Sequence, residues 1–314
     1  MTGTFDPKTC NVAVLYGGTS GEREVSLSSG TAVGSALKEA GFNVTMLDPA
    51  EKSDLLSLME DTYDVAFLCL HGKGGEDGTM QGFLETIGLP YTGSGVCASA
   101  LAMSKCKAKQ IYRAAGLPTL PSVTLKANEP YSVDDVIAEL GDHCVIKASE
   151  EGSSIGLYIA EGNEAIAEAI KDAFSHDSEV LVEKFCKGRE LTVGVIGNEN
   201  PQALPIIEIV PRNDFYDYDA KYSPGGSEHI CPAEIDEETT AAIKKCAEEA
   251  HKALGCRGES RTDFLLEENG SFWMLETNTL PGMTETSLLP DAASKIGLCY
   301  IDLCTELVKL ALSK

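Results

Sequence analysis

The sequence predicts a protein of mixed α/β and α+β class: a doubly wound parallel-sheet unit at the N-terminus, followed by two α+β units. Three observations lead there. The chain opens with the order strand, glycine loop, helix, strand; a fully apolar run follows at Val65 to Leu70; and strands then alternate with amphipathic helices to the end. A chain of 314 residues is also too long for one core of ordinary size, so two or three packed units are expected. The order of predicted strands and helices divides it into residues 1–102, 103–185 and 186–314.

In the first unit, Val12 to Tyr16 reads as a strand, Gly17-Gly18-Thr19-Ser20-Gly21 as a loop, and the stretch to Ala40 as a helix. Val25, Ala32, Val33, Ala36, Leu37 and Ala40 share one helical face, and Gly41 suits the left-handed position after a helix end. Phe42 to Leu47 completes a βαβ unit, which implies parallel strands. Val65 to Leu70 is apolar throughout, as expected for a strand buried on both faces.

The second unit begins with a lysine-rich helix carrying Lys105, Lys107 and Lys109, stopped at Gly116-Leu117-Pro118. A strand ending at Lys147, a glycine and serine loop, a strand at Leu157 to Ala160, a helix from Ala165 to Phe174 and a strand at Val180 to Glu183 follow. The third unit has strands at Leu191 to Ile196, Leu204 to Val210, Asp263 to Glu267 and Phe272 to Glu276. It also has a helix from Glu237 to Leu254, and Asn269-Gly270 turns the last hairpin.

The composition, 43% apolar and 24% charged, is that of a folded soluble domain. A formal charge of −24 repels nucleic acid and anionic membrane, so a phosphate-bearing ligand must be small and held by a local cluster of cations. No apolar run reaches the ~20 residues of a membrane span, and Met1 to Cys10 lack a signal-peptide core, so a cytoplasmic protein is expected. Eleven scattered cysteines without a C-x-x-C pair read as unpaired buried thiols of a reducing compartment.

Three constellations carry chemistry. Asp263 and Glu276 can meet across the hairpin, with Asn278 two residues beyond Glu276 on the same face. Such an all-oxygen set suits Mg2+, although a solvated acidic hairpin end has the same composition. The loop from Lys147 to Gly156 combines a lysine with small residues whose backbone N–H groups can approach an anion; it can equally be a plain connection. Its Gly152 to Gly156 segment spells the serine-hydrolase pattern G-x-S-x-G, but a strand rather than a helix follows. His71 lies at the carboxyl end of a buried strand, where open α/β sheets bind ligands. Gly93-Ser94-Gly95-Val96-Cys97-Ala98 fits the loose dinucleotide fingerprint but lacks the acidic residue near position 118, and no P-loop motif occurs.

These segments, taken together, are recognisable. GGTSGEREVS (Gly17 to Ser26), HGKGGEDGTMQG (His71 to Gly82), YTGSG (Tyr91 to Gly95), EEGSSIG (Glu150 to Gly156), FYDYDAKY (Phe215 to Tyr222) and LETNTLPGMTETS (Leu275 to Ser287) resemble the D-alanine:D-alanine ligases in order and spacing over nearly the whole chain. The resemblance implies the ATP-grasp fold and ADP-forming ligation of two D-alanines through an acyl phosphate, for the cell-wall peptidoglycan. ATP would be a substrate, two Mg2+ (or Mn2+) ions the cofactor, and a homodimer the assembly.

On the same resemblance, Asp263, Glu276 and Asn278 hold the metal, and Lys105, Lys147 and Lys221 contact the phosphates. The hinge of Glu183, Lys184 and Cys186 meets adenine, and Glu190 takes the ribose hydroxyls. Glu22 anchors the first ammonium beside His71, Ser153 and Tyr222 hydrogen-bond with Glu22, and Arg261 and the N–H of Gly282 stabilise the oxyanion. Ser287 and the N–H of Leu288 hold the second carboxylate. Ala148 stands where the family usually has proline after the phosphate lysine, and Glu259-Ser260 and Cys186 also depart from the pattern. The nearest alternatives are D-alanine:D-lactate or D-alanine:D-serine ligation, or another carboxylate–amine ligase of the same fold; Lys221-Tyr222 favours the dipeptide.

Overall fold

The computed structural model describes residues 6–152, 155–211 and 227–313. Its first sheet has the order β2-β1-β3 and is parallel: β1 (Asn11–Leu15) pairs with β2 (Asn43–Leu47) and β3 (Val65–Leu68). Successive side chains of a strand point to opposite faces, and both faces here are covered. Val12, Val14, Val65 and Phe67 join the core under α1 (Arg23–Glu39), while Ala13, Leu15, Ala66 and Leu68 face the core under α2 (Lys52–Ser57) and α3 (Thr79–Ile87). That double burial explains the unbroken apolar run of β3.

After α4 (Val96–Met103) and α5 (Lys105–Ala114) comes an antiparallel sheet of order β4-β7-β5-β6. Its strands are β4 (Ser122–Lys126), β5 (His143–Ala148), β6 (Leu157–Glu161) and β7 (Glu179–Lys184). One face packs on α6 (Val133–Leu140) and α7 (Asn163–His176) through Cys144, Ile146, Val180, Val182, Ile166 and Ile170. The opposite face carries Lys147, Leu181 and Glu183. A strand does follow the G-x-S-x-G segment, as the hydrolase reading does not allow.

The third sheet, of order β11-β10-β8-β12-β13, contains β8 (Arg189–Ile196), β10 (Ile207–Pro211), β11 (Ser227–Ile230), β12 (Glu259–Leu266) and β13 (Phe272–Asn278). A short β9 (Gln202–Ala203) pairs with β8. The single strand expected over Leu204 to Val210 is therefore interrupted: Pro205 has no N–H to give a ladder, and pairing resumes only at Ile207. The strand of Asp263 begins four residues earlier than expected, at Glu259, so Asp263 lies within it. Helix α8 (Glu237–Leu254) has the predicted bounds, with the Asp236 carboxylate accepting from the Thr239 N–H at 2.8 Å and Gly255 at φ 75° ending it.

Two helices close the chain, α9 (Leu288–Ser294) and α10 (Tyr300–Leu312). Leu303, Leu307 and Val308 of α10 share one core with Val33 and Leu37 of α1 and Phe67 of β3. The end of the chain thus clamps the first sheet and brings the loop before α9 beside the N-terminus of α1.

Candidate active site

The site is built around the β12–β13 ladder. Asp263 is directly opposite Glu276, and Arg261 opposite Asn278. The register slips after Asp263, so that Phe264 pairs with Met274 and Leu275 is the extra residue of a bulge. The slip has a packing cause. Met274 is fully buried in the core with Phe264 and Leu266, and in a regular strand Glu276 and Asn278 would follow it inward. One added residue reverses the alternation, leaving Glu276 and Asn278 partly exposed on the face of Arg261 and Asp263.

Arg261 spans the carboxylate of Asp263, Nε to Oδ1 and Nη2 to Oδ2, each at 3.0 Å. Thr192 adds a hydroxyl donor to Oδ1 at 2.6 Å. Lys105, the first residue of α5, places Nζ 2.6 Å from the carbonyl oxygen of Glu151 and 3.9 Å from Oε2 of Glu276. The donor set of Asp263, Glu276 and Asn278, two carboxylates and an amide oxygen on one sheet face, fits a hard divalent cation. Among the described residues, no group of three His, Cys, Asp or Glu side chains offers another such centre.

The cleft beside this ladder has a volume of about 570 Å³. It is lined by Glu22, His71, Lys105, Arg261, Glu276, Asn278, Gly282, Ser287 and Leu288, all singled out from sequence. Topology gathers them from three places: the loop ends of the first sheet, the start of α5 and the end of β13.

Glu22 sits at the entry to α1, with its carboxylate between two loops. A β-carbon on Gly72, at φ 69°, would lie 3.1 Å from Oε2, so that position suits glycine, and one on Gly152 would be in ordinary contact with Oε1 at 3.5 Å. His71 is buried, with Nδ1 3.9 Å from Glu76 and Nε2 3.4 Å from Ser29 Oγ. Ser29 Oγ also accepts from the Met283 N–H at 3.3 Å, tying α1 and His71 to the segment that carries Gly282. Ser287 Oγ lies 2.7 Å from Thr284 Oγ1 and accepts from the Thr284 N–H at 3.0 Å. Lys73 reaches Glu151 at 2.5 Å, joining the loop after β3 to the loop after β5.

The remaining expected residues lie away from this lining. Lys147 contacts Glu183 Oε2 at 2.6 Å, and Lys109 contacts Glu183 Oε1. Burial, together with the nearby cations Lys147 and Arg113, pulls Lys109 below the ordinary lysine range. The Glu183 carboxylate is thus occupied by two lysines, and in the sheet Glu183 stands between Ser122 of β4 and Val145 of β5. Lys184 is exposed at the strand end, and its N–H donates to the Pro121 carbonyl at 3.0 Å. The Cys186 thiol donates to Glu267 at 2.9 Å, so its side chain is committed elsewhere. Glu190 lies on β8, paired in register with Ile209 and Leu265. Ser153, Lys221 and Tyr222 fall outside the described residues.

His229, Thr284 and Thr286 also line the cleft and were not singled out. Burial lowers the pKa of His229. It comes from β11, on an isolated stretch with no motif around it, and only the sheet order brings it in.

A parallel α/β sheet followed by two antiparallel sheets, with a lysine, carboxylates and an arginine meeting in one cleft, defines an ATP-grasp fold. Family models described as the D-ala D-ala ligase C-terminus and N-terminus match residues 111–309 and 50–94. The chain belongs to the D-alanine–D-alanine ligase family. It is 47% identical over 303 residues to the D-alanine–D-alanine ligase of Syntrophobacter fumaroxidans, covering 96% of this chain and 97% of that one. With the Geotalea uraniireducens enzyme of the same name it shares 47% over 307 residues, 98% and 97% of the two chains. The crystal structure of the Bacillus anthracis D-alanine–D-alanine ligase complexed with ATP superposes with a TM-score of 0.85 at 32% identity, over 96% of this chain and 97% of that one.

Proposed function

We propose that this chain joins two D-alanine molecules into D-alanyl-D-alanine with cleavage of ATP to ADP and phosphate. The supporting observation is the single cleft in which Glu276, Asn278, Lys105 and Arg261 share one volume with Glu22, His71 and Ser287. The first group suits a metal-bound triphosphate and the second an amino acid.

In this reading a carboxylate oxygen of the first D-alanine attacks the γ-phosphorus and ADP leaves, forming an acyl phosphate. The amine of the second D-alanine then attacks the carbonyl carbon, loses a proton, and expels phosphate. Catalysis of such transfers is mostly positioning and neutralisation of charge. Glu22 binds the first ammonium, with His71 beside it held by Ser29 and Glu76. Lys105, Lys147 and Lys221 take phosphate oxygens; the backbone of Glu183 to Cys186 meets the base and Glu190 the ribose. Asp263, Glu276 and Asn278 hold Mg2+, which when bound supplies Lewis-acid neutralisation of the transferring phosphoryl group. Arg261 and the N–H of Gly282 stabilise the oxyanion of the tetrahedral intermediate, and Ser287 with the N–H of Leu288 holds the second carboxylate. Ser153 and Tyr222 close over Glu22, excluding water that would hydrolyse the acyl phosphate.

The same reading makes the protein a cytoplasmic homodimer serving peptidoglycan synthesis. Among the described residues no helix is long and apolar enough to cross a membrane. Mass spectrometry of the products formed from D-alanine alone, and from D-alanine with D-lactate or D-serine, tests the assignment. The dipeptide should dominate; a depsipeptide or D-alanyl-D-serine as main product would reassign the second substrate.

A further inference from the structure

Ser287 begins α9, yet its hydroxyl makes no cap bond to that helix. A serine in this position ordinarily accepts from one of the first N–H groups of its helix; here Thr284, three residues earlier, takes the hydroxyl instead. Ser287 Oγ accepts from the Thr284 N–H at 3.0 Å and lies 2.7 Å from Thr284 Oγ1. The ligase reading gives Ser287 a carboxylate to hold and leaves Thr284 without a role.

The arrangement follows from the local chain. Thr284 to Ser287 is one tight turn, closed by the Ser287 N–H donating to the Thr284 carbonyl at 3.0 Å, and the turn brings the two side chains back to each other. Gly282 leaves room for the hydroxyl, since a β-carbon there would lie 3.1 Å from Ser287 Oγ. Thr284 and Ser287 both line the cleft beside Gly282 and Leu288. A serine hydroxyl has two acceptor positions and one proton. The Thr284 N–H fills the first acceptor position. When the Thr284 hydroxyl donates as well, it fills the second, and the proton is the part of the group left for a ligand. With the direction reversed, Ser287 would donate to Thr284 and turn a lone pair toward an incoming carboxylate, which repels it.

We propose that Thr284 is a positioning residue for the second amino acid: by donating to Ser287 Oγ from both its N–H and its hydroxyl, it keeps the serine from capping α9 and directs the serine proton to the substrate carboxylate. An anionic acceptor favours this direction of the pair, because a hydroxyl bond to a carboxylate is stronger than one between neutral hydroxyls. The inference rests on the ligase reading, which puts that carboxylate at Ser287.

The test is steady-state kinetics of wild type, Thr284→Val, Thr284→Ser, Ser287→Ala and the double variant Thr284→Val/Ser287→Ala. The first-site and second-site constants for D-alanine are read from the full saturation curve, and circular dichroism checks the fold. Thr284→Val keeps the N–H and the shape but loses the hydroxyl; it should raise the second-site constant about fivefold, with the first-site and ATP constants within about twofold of wild type. Thr284→Ser, which restores the hydroxyl, should bring the second-site constant back to within about twofold. Ser287→Ala should raise that constant at least about tenfold, and adding Thr284→Val should move it by no more than about twofold further, because Thr284 acts only through the serine. An unmoved second-site constant in Thr284→Val or Ser287→Ala, a Thr284→Ser variant as impaired as Thr284→Val, a further loss in the double variant, or equal rises at both D-alanine sites would overturn the proposal. If Thr284→Val does not fold, Thr284→Ala takes its place with the same outcomes. Wild-type protein that makes no D-alanyl-D-alanine would instead overturn the ligase reading, leaving the two failures distinct.

Discussion

Asp263 stands directly opposite Glu276 across the β12–β13 ladder, and the bulge at Leu275 is what keeps both on the same sheet face as Arg261 and Asn278. Directly opposed residues share a face and come within side-chain reach. Asp263→Asn or Glu276→Gln should therefore each lower Mg2+-dependent turnover at least about a hundredfold with the fold intact. The double variant should be little worse than either single one, because groups acting as a unit are not additive. Circular dichroism and initial rates across a Mg2+ titration check this; full additivity would mean that the two carboxylates act separately.

Arg261 is engaged with Asp263 through Nε and Nη2, and it also lines the cleft. The oxyanion role proposed for it predicts that Arg261→Ala lowers kcat about a hundred- to a thousandfold, or roughly 2.7 to 4 kcal/mol, as for one donor of an oxyanion hole. ATP affinity should fall far less. Steady-state kinetics with both substrates varied separate the two effects, and equal losses would place Arg261 on the nucleotide instead.

Glu259 is fully buried, burial raises its pKa from 4.5 to about 8, and its Oε2 has no hydrogen-bond partner among the described residues. A carboxyl group whose folded pKa is raised holds its proton more tightly in the folded state. Its contribution to stability is complete below about 4.5 and is lost as pH rises through about 8. Glu259→Gln should accordingly flatten the decline in Tm across this window and raise Tm at its upper end, by an amount on the order of a few kcal/mol in stability. Thermal melts of both proteins at several pH values provide the comparison; parallel profiles would mean that Glu259 does not titrate there.

The eleven cysteines are all free, and only Cys97 and Cys299 are exposed. Burial pushes the Cys246 and Cys304 thiols up to about 12 and Cys10 and Cys256 to about 11. Thiolates are the reactive form. A thiol reagent at neutral pH should modify Cys97 and Cys299 rapidly, the partly exposed Cys186 and Cys231 more slowly, and the seven buried cysteines only on unfolding. Peptide mapping after brief alkylation identifies them, and fast labelling of Cys246 or Cys304 would contradict the burial.

The pairing of Asp263 with Glu276 was legible because both strands and their turn carry local signals: alternating apolar residues and Asn269-Gly270, with Gly270 at φ 84°. The bulge was not legible, because it answers to the space around Met274 rather than to any turn residue. Helix α4 escaped for a different reason. Val96 to Met103 is apolar or small on every side, so it has no stripe to read, and the glycines before it suggested only a turn. The meeting of Glu22 with Gly152, and of Ser29 with both His71 and Met283, depends on tertiary packing between distant segments. No spacing in one chain encodes such contacts; there, motif resemblance carried what periodicity could not.

In the proposed reaction a D-alanine carboxylate attacks ATP. Carboxylate-labelled D-alanine carrying heavy oxygen tests it most directly, with the released phosphate and the dipeptide analysed by mass spectrometry. Phosphate should appear only with D-alanine and Mg2+, carry one labelled oxygen per molecule, and match D-alanyl-D-alanine in amount. Unlabelled phosphate, or phosphate released equally with L-alanine, would contradict it.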